Sequence, residues 1–287
     1  MGTRKGIVIK AVGGFYFVDT PQGMYRSYIR GRLKRETEVL VGDKVKIKVF
    51  DGDNAIVEEI YPRQNKLMRP AIANVDQGVI VMSMANPPLN LNLLDRFLVL
   101  VQAAGLKSII CFNKIDLVSK AEVKEITKTY QQAGAIVIPT SAKTGDGVEI
   151  LGEVLRGKVS VLAGPSGVGK SSLLNRIQPG FSLQIGKISQ KLRRGRHTTR
   201  HVELLTLARG GRVADTPGFT SLALDEIDQR ELRYYFPEFI EWAPNCRFPG
   251  CLHWREPGCA VKEAVKKKQV DQGRYHRYLD LLQELEG

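Results

Sequence analysis

Gly164-Pro165-Ser166-Gly167-Val168-Gly169-Lys170-Ser171 matches the phosphate-loop pattern G-x-x-x-x-G-K-[ST] without departure. Its three glycines admit backbone angles that other residues avoid, so successive N–H groups can converge on phosphate oxygens. Lys170 is placed to reach the β- and γ-phosphates and the Ser171 hydroxyl to ligate Mg²⁺, with Ser172 closing the nucleotide-binding stretch. Upstream, Asn113-Lys114-Ile115-Asp116 ends the apolar run Ser108–Phe112. A carboxylate at Asp116 can accept from both N1–H and the exocyclic amine of guanine, a pair of donors that adenine does not offer. Lys114 is expected to cover the ring, and Asn113 to tie this loop to the phosphate loop.

Two further segments complete the set. Thr140-Ser141-Ala142-Lys143 follows the run Ala135–Ile138 and resembles the S-A-K element, in which a backbone N–H near Ala142 contacts guanine O6. Asp215-Thr216-Pro217-Gly218 follows the run Gly211–Ala214. Asp215 is expected to hold Mg²⁺ through water and the Gly218 N–H to sense the γ-phosphate. Between them lies Gly195-Arg196-His197-Thr198-Thr199-Arg200, a source of switch threonines.

A different chemistry is spelled by Cys246-x4-Cys251-x-His253-x5-Cys259, which gathers three of the chain's four cysteines. Thiolates and an imidazole at this spacing suit tetrahedral Zn²⁺, and four protein ligands leave no open position, so the site is expected to be structural. Cys111, inside an apolar run, reads as a core residue.

These groups need elements to hold them. Residues 1 to about 64 carry short alternating runs at Gly6–Lys10, Phe15–Val18, Met24–Ile29, Lys44–Val49 and Ala55–Ile60, separated by Gly, Pro and Asp turn signals. Five short strands suit an all-β OB-fold barrel, with Tyr25, Tyr28 and Arg26 as candidates for stacking and phosphate contact. Residues 65–223 alternate strand and helix, which implies a mostly parallel α/β sheet with each motif at a strand's C-terminal end. Residues 224–287 change to aromatics and prolines followed by polar helices, a mostly α zinc-binding domain.

The motif order is N-K-x-D, S-A-K, G-x-x-x-x-G-K-S, T-T, D-T-P-G, the reverse of the usual placing of base and phosphate motifs. It resembles that of the circularly permuted GTPases. With the flanking barrel and the cysteine cluster, the whole chain resembles the ribosome small-subunit-dependent GTPases of the RsgA type. The resemblance implies GTP hydrolysis stimulated by the 30S subunit, a part in its late maturation, contact with 16S rRNA, and release after hydrolysis. The T-T-R pattern resembles GTPases in which the Thr before Arg ligates Mg²⁺, which favours Thr199, with Thr198 as the alternative. Ras-type enzymes place a water-orienting Gln shortly after D-x-x-G, whereas here Phe219, Thr220 and Ser221 follow Gly218. His197 is the candidate replacement as catalytic residue; the alternative is that it contacts only RNA or solvent. The missing Gln also supports a second class: an RNA-binding module whose domain binds GTP without hydrolysing it.

The formal net charge of +13 points to polyanionic partners. Basic residues cluster at Arg26–Arg35, at Lys187–Arg200, and at Lys262–Lys268 with Arg274 and Arg277. No apolar run reaches the length of a membrane helix and residues 1–20 lack a signal-peptide core, so a cytoplasmic chain acting as a monomer without membrane contact is expected.

Overall fold

Strand β4 (Lys44–Asp51) shows why the N-terminal part folds as it does: Val45 and Ile47 are fully buried while the lysines between and beside them face outward. The same alternation holds β1 (Gly2–Val12), β2 (Phe15–Thr20), β3 (Gly23–Ile29) and β5 (Asn54–Ile60) around one core of Val8, Val18, Val39, Val45, Ile47, Ala55 and Val57. In this computed structural model, residues 2–30, 37–68, 70–180, 202–215, 224–225 and 227–286 are described. His197, Thr198, Thr199, Gly218 and Phe219 lie outside them, as do the basic residues at 32–35 and 187–200.

The chain divides into two compact units. The first comprises Met1–Gly78, Gly152–Leu162 and Gly180–Thr220. Here β1 pairs antiparallel with both β2 and β4, β2 with β3, β3 runs parallel to β5, and β5 returns antiparallel to β4. The ring closes, so the expected five-stranded barrel is present and no barrel edge is left unpaired. A short hairpin, β6 (Lys66–Met68) and β7 (Ala71–Ala73), follows it, unforeseen from the sequence. Gly42 is required where this hairpin approaches: at φ +91° a Cβ would stand 2.0 Å from the Ala73 carbonyl oxygen. Buried Asp43 secures the same junction, accepting from Arg63 Nε at 2.7 Å and from the Leu40 N–H at 2.7 Å. The unit also holds β11 (Val159–Ala163) up to Leu162, parallel to β13 (Arg212–Asp215), which pairs antiparallel with β12 (Glu203–Thr206).

The second unit comprises Val79–Leu151, Ala163–Pro179 and Ser221–Gly287. Strand β8 (Gln77–Ser83) is buried along its whole length, as a strand covered on both faces must be. It neighbours β9 (Lys107–Asn113), which pairs in parallel with β10 (Ile136–Pro139). Helix α1 (Leu91–Ala103) starts at Asn90, whose side chain accepts the Leu93 N–H, and α2 (Lys120–Gln132) starts with a Ser119/Glu122 capping box. Helix α3 is Val148–Leu155 and α4 is Lys170–Ile177. The C-terminal helices are α5 (Ala260–Lys266) and α6 (Gln272–Glu286).

Val99 and Leu100 of α1 pack into the apolar cluster of the cysteine-rich end, with Leu232, Phe236, Phe239, Tyr278 and Leu282. Beside it lies a buried ionic group. Asp95, fully buried, accepts from Tyr130 Oη at 2.8 Å, from Arg274 Nη1 at 2.6 Å and from Arg277 Nε. Arg274 also donates to Glu238 and lies over the Tyr130 and Phe236 rings. Arg274 and Arg277 therefore do not belong to an open basic cluster, contrary to the expectation from charge spacing. Their charges are consumed inside the fold.

Candidate functional site

β9 carries Asn113 to its C-terminal end, where the side chain is 1% exposed and spans three loops. Its Nδ2 donates to the Val168 carbonyl of the phosphate loop at 2.8 Å. Its Oδ1 accepts from the Ala142 N–H at 3.1 Å and from Thr140 Oγ1 at 3.3 Å. The expected tie to the phosphate loop exists, and the same amide also secures the S-A-K loop. Gly169, at φ +100°, is needed at this crossing, because a Cβ there would stand 2.2 Å from Asn113 Nδ2. The Ala142 N–H, expected at guanine O6, donates here to Asn113, so base contact at this amide requires the bond to be shared or exchanged.

Lys114 adopts a left-handed backbone at φ +64° and stretches its ammonium to the Gly167 carbonyl at 2.7 Å and to the Asn86 carbonyl. Its stem thus runs along the base loop toward the phosphate loop, the route a residue covering a purine must take. Exposed Asp116 accepts from Ser141 Oγ at 2.6 Å, which orients its carboxylate. Ser141 Oγ in turn accepts the Thr144 N–H at 3.1 Å. Lys143 is exposed beside them.

The phosphate loop leaves β11 at Gly164, whose missing Cβ lets it pass Val81; a Cβ would stand 2.1 Å from that carbonyl oxygen. Gly169 then opens α4, so Lys170, Ser171 and Ser172 occupy its first turn, where N–H groups and the helix dipole favour anions. Lys170 Nζ donates to the Gly164 and Pro165 carbonyls at 2.7 and 2.8 Å. Burial pushes its ammonium down to about 8. Pro165 and Gly164 are half-buried, Ser166 and Gly167 exposed, and Val168 anchors the loop in the core.

Asp215 is the last residue of β13, directly opposite Glu203 of β12. The base loop, the S-A-K loop and the phosphate loop all lie in the second compact unit and interlock there; β13, which ends in Asp215, is in the first.

The second centre is also assembled. The four ligand atoms of Cys246, Cys251, His253 and Cys259 lie within 4.8 Å of one another. Cys246 Sγ is 3.8 Å from Cys259 Sγ, and His253 Nδ1 is 3.6 and 3.4 Å from those two sulfurs. A tetrahedron with metal–sulfur bonds of about 2.3 Å has sulfur–sulfur edges of about 3.8 Å. The donor set and its spacing fit a metal ion, and the group can hold one. Burial pushes the Cys251 thiol up to about 12 and the His253 imidazole down to about 4. A neutral imidazole is what a metal ligand requires, and thiolates at this depth require a cation's charge.

The supporting groups are ones that spacing does not reveal. Tyr275 Oη donates to the His253 carbonyl at 2.7 Å and Tyr278 Oη to the Leu252 carbonyl at 2.6 Å. Glu256 accepts the Leu252 and Trp254 N–H groups, and Arg233 donates to the Cys251 carbonyl at 2.9 Å. Together they hold His253 at a left-handed φ of +58°. The spacing of Tyr275 and Tyr278, three residues apart on α6, is a local signal that could have found those two; Glu256 and Arg233 have none.

On the barrel, Arg26 lies 3.7 Å above the Phe15 ring and Arg30 4.7 Å from that of Tyr28. A cleft of about 440 Å³ is lined by Gly13, Gly14, Phe15, Tyr16, Tyr28 and Ile29. Tyr25 instead packs partly into the barrel core.

Residues 60–225 match the family model described as RsgA GTPase, and residues 5–57 that of the RsgA N-terminal domain. A small ribosomal subunit biogenesis GTPase RsgA from Alkaliphilus metalliredigens is 47% identical over 98% of this chain and 97% of its own. One from Caldanaerobacter subterraneus subsp. tengcongensis is 45% identical over 98% and 95%. The crystal structure of YjeQ from Thermotoga maritima superposes with a TM-score of 0.87 at 36% identity, covering 100% of this chain and 99% of that one. YloQ, described as a circularly permuted GTPase, gives 0.82 at 38% identity, covering 99% and 96%.

Proposed function

The chain belongs to the RsgA family of small ribosomal subunit biogenesis GTPases, and from that premise we propose how its residues divide the work. It hydrolyses GTP, and its target is the 30S subunit, met through 16S rRNA late in maturation. The subunit stimulates hydrolysis, and hydrolysis releases the protein.

The observation that carries this reading is the Asn113 side chain, which fastens the phosphate loop and the S-A-K loop to the base loop in one unit. Asp116, oriented by Ser141, reads the N1–H and amino edge of guanine, and Lys114 covers the ring. Gly164–Gly169 surround the β- and γ-phosphates with N–H groups, and Lys170 exchanges its two carbonyl partners for phosphate oxygens. Ser171 and Thr199 ligate Mg²⁺, Asp215 holds it through water, and the Gly218 N–H contacts the γ-phosphate. Mg²⁺ when bound supplies the charge that offsets the charge developing on the phosphoryl oxygens. His197 orients the attacking water.

Zn²⁺ at Cys246, Cys251, His253 and Cys259 is structural, because four protein ligands complete its tetrahedron. Residues 1–64 form the RNA-binding domain, 65–223 the GTPase domain and 224–287 the zinc domain. The Arg–aromatic pairs of the barrel suit unstacked bases of RNA. No helix among the described residues is long and apolar enough to cross a membrane. The protein acts as a monomer on ribosomes in the cytoplasm. Phosphate release measured with and without purified 30S, 50S and 70S particles tests the reading. Stimulation confined to 30S supports it; equal rates with all three, or none, overturn it.

A further inference from the structure

The barrel and the strand ending at Asp215 share one unit, and a single line of register connects them. Lys10 of β1 faces Glu203 of β12, and Glu203 faces Asp215 of β13. The β1–β2 pairing has a register shift between Val8 and Lys10, next to this point. Lys10 Nζ reaches Glu203 at 2.9 Å, but both side chains are more than a third exposed, so this pair contributes little by itself. The firmer contact is between Asp19 of β2 and Arg212 of β13, at 2.7 Å, with both side chains about three-quarters buried. Thr206 Oγ1 also donates to Asp19 at 3.4 Å. The β12–β13 hairpin, which in sequence joins the T-T-R motif to D-T-P-G, is thus gripped by barrel residues on both of its strands.

We infer that Asp19 and Arg212 form a register clamp by which a load on the barrel reaches Asp215, so that the barrel serves as the input of stimulation as well as an RNA anchor. Displacing β1 or β2 moves the hairpin, and Asp215 is two strands from Lys10 with no loop between. Neither clamp residue belongs to a nucleotide motif, so both are positioning residues. The inference rests on the proposed meeting of barrel and rRNA.

The test compares Arg212→Gln, Asp19→Asn and the exchanged pair Asp19→Arg with Arg212→Asp in the full-length protein. Measured are basal kcat and KM for GTP, 30S-stimulated kcat, and 30S affinity. The clamp predicts that each single variant keeps basal kcat, KM and 30S affinity within about threefold and loses about tenfold of the stimulated rate, in the range of ordinary coupling energies. The exchanged pair should recover most of that loss. Amide exchange at Glu203–Asp215 should slow on 30S binding in the parent protein and not in the single variants. Basal and stimulated rates that fall together overturn the clamp, since the pair would then merely fold the hairpin. Full stimulation in the single variants overturns it as well. A parent protein that 30S does not stimulate overturns the earlier reading first, a result visible before any variant is made.

Discussion

Lys170 carries the most specific consequence at the scale of one residue. Burial holds its ammonium at about 8 in the nucleotide-free protein, below the ordinary lysine value. Between that value and the unfolded one, the unfolded chain binds more protons, so folding stability rises with pH across this window, and the full cost of burying the charge is present below it. Bound phosphates favour the protonated amine and reverse the depression. Nucleotide binding at pH 8 should therefore take up about half a proton at this site. Calorimetry in buffers of different ionisation enthalpy reads it directly, and Lys170→Met should remove it. An unchanged proton count in that variant would place the linkage elsewhere.

Asp116 makes a second prediction at this scale. Asp116→Asn exchanges an acceptor for a donor at a side chain that Ser141 Oγ orients from 2.6 Å in the parent protein. Preference should move from GTP toward xanthosine triphosphate, and competition binding with the two nucleotides measures it. Unchanged GTP affinity with no gain for the xanthine nucleotide removes Asp116 from the base site. These residues were legible in the sequence because their chemistry fixes their spacing: loop glycines, a carboxylate after a strand, thiols at ligand intervals.

What holds them was less legible. At the scale of elements, the alternating patterns gave β2, β3, β4 and β5 nearly to their ends but only the middle of β1, Gly6–Lys10 within Gly2–Val12. They missed β6–β7, whose two strands of three residues each are too short to show a period. They also misread Arg274, counted by its neighbours in sequence although its decisive partner Asp95 is 179 residues away. No local pattern encodes a contact of that separation. Asp95 is fully buried and meets two guanidinium groups, so truncating it leaves buried charge uncompensated. Asp95→Ala should destabilise the protein by about 3–5 kcal/mol, read as a fall in denaturation midpoint. Arg96→Ala, one residue away on an ion pair that is partly exposed, should cost far less. Equal effects would show that Asp95 only packs.

The cysteine–histidine centre is stabilised at the same scale. Tyr275, Tyr278 and Arg233 hold its loop through backbone carbonyls, so the peptide geometry is set by α6 and the preceding turn as well as by any metal. Purified protein should contain about one zinc per chain, lost in Cys251→Ser together with folding of the cysteine-rich end. Elemental analysis and amide exchange at 246–259 check this. A zinc-free, fully folded protein would refute a structural zinc.

At the scale of the molecule, the permuted order distributes the motifs between two bodies. D-T-P-G is the last nucleotide motif and leads by sequence into the cysteine-rich end, which suggests that this end should follow the γ-phosphate. The packing assigns it differently. The cysteine-rich end packs on α1 and shares its unit with the base and phosphate loops, whereas β12 and β13 share the barrel's. The part expected to respond to the γ-phosphate is then the barrel. A GTP analogue should tighten attachment to the 30S subunit relative to GDP by about 1–3 kcal/mol, and removing residues 1–64 should abolish that difference more completely than disrupting the cysteine–histidine cluster. His197→Ala should bind GTP, fail to hydrolyse it and stay on the subunit. Co-sedimentation with 30S in the two nucleotide states measures attachment in each case, and phosphate release measures turnover in the His197 variant. Equal affinity in both states sinks the switch even if hydrolysis is normal, while normal stimulated turnover in the His197 variant removes only that residue from catalysis.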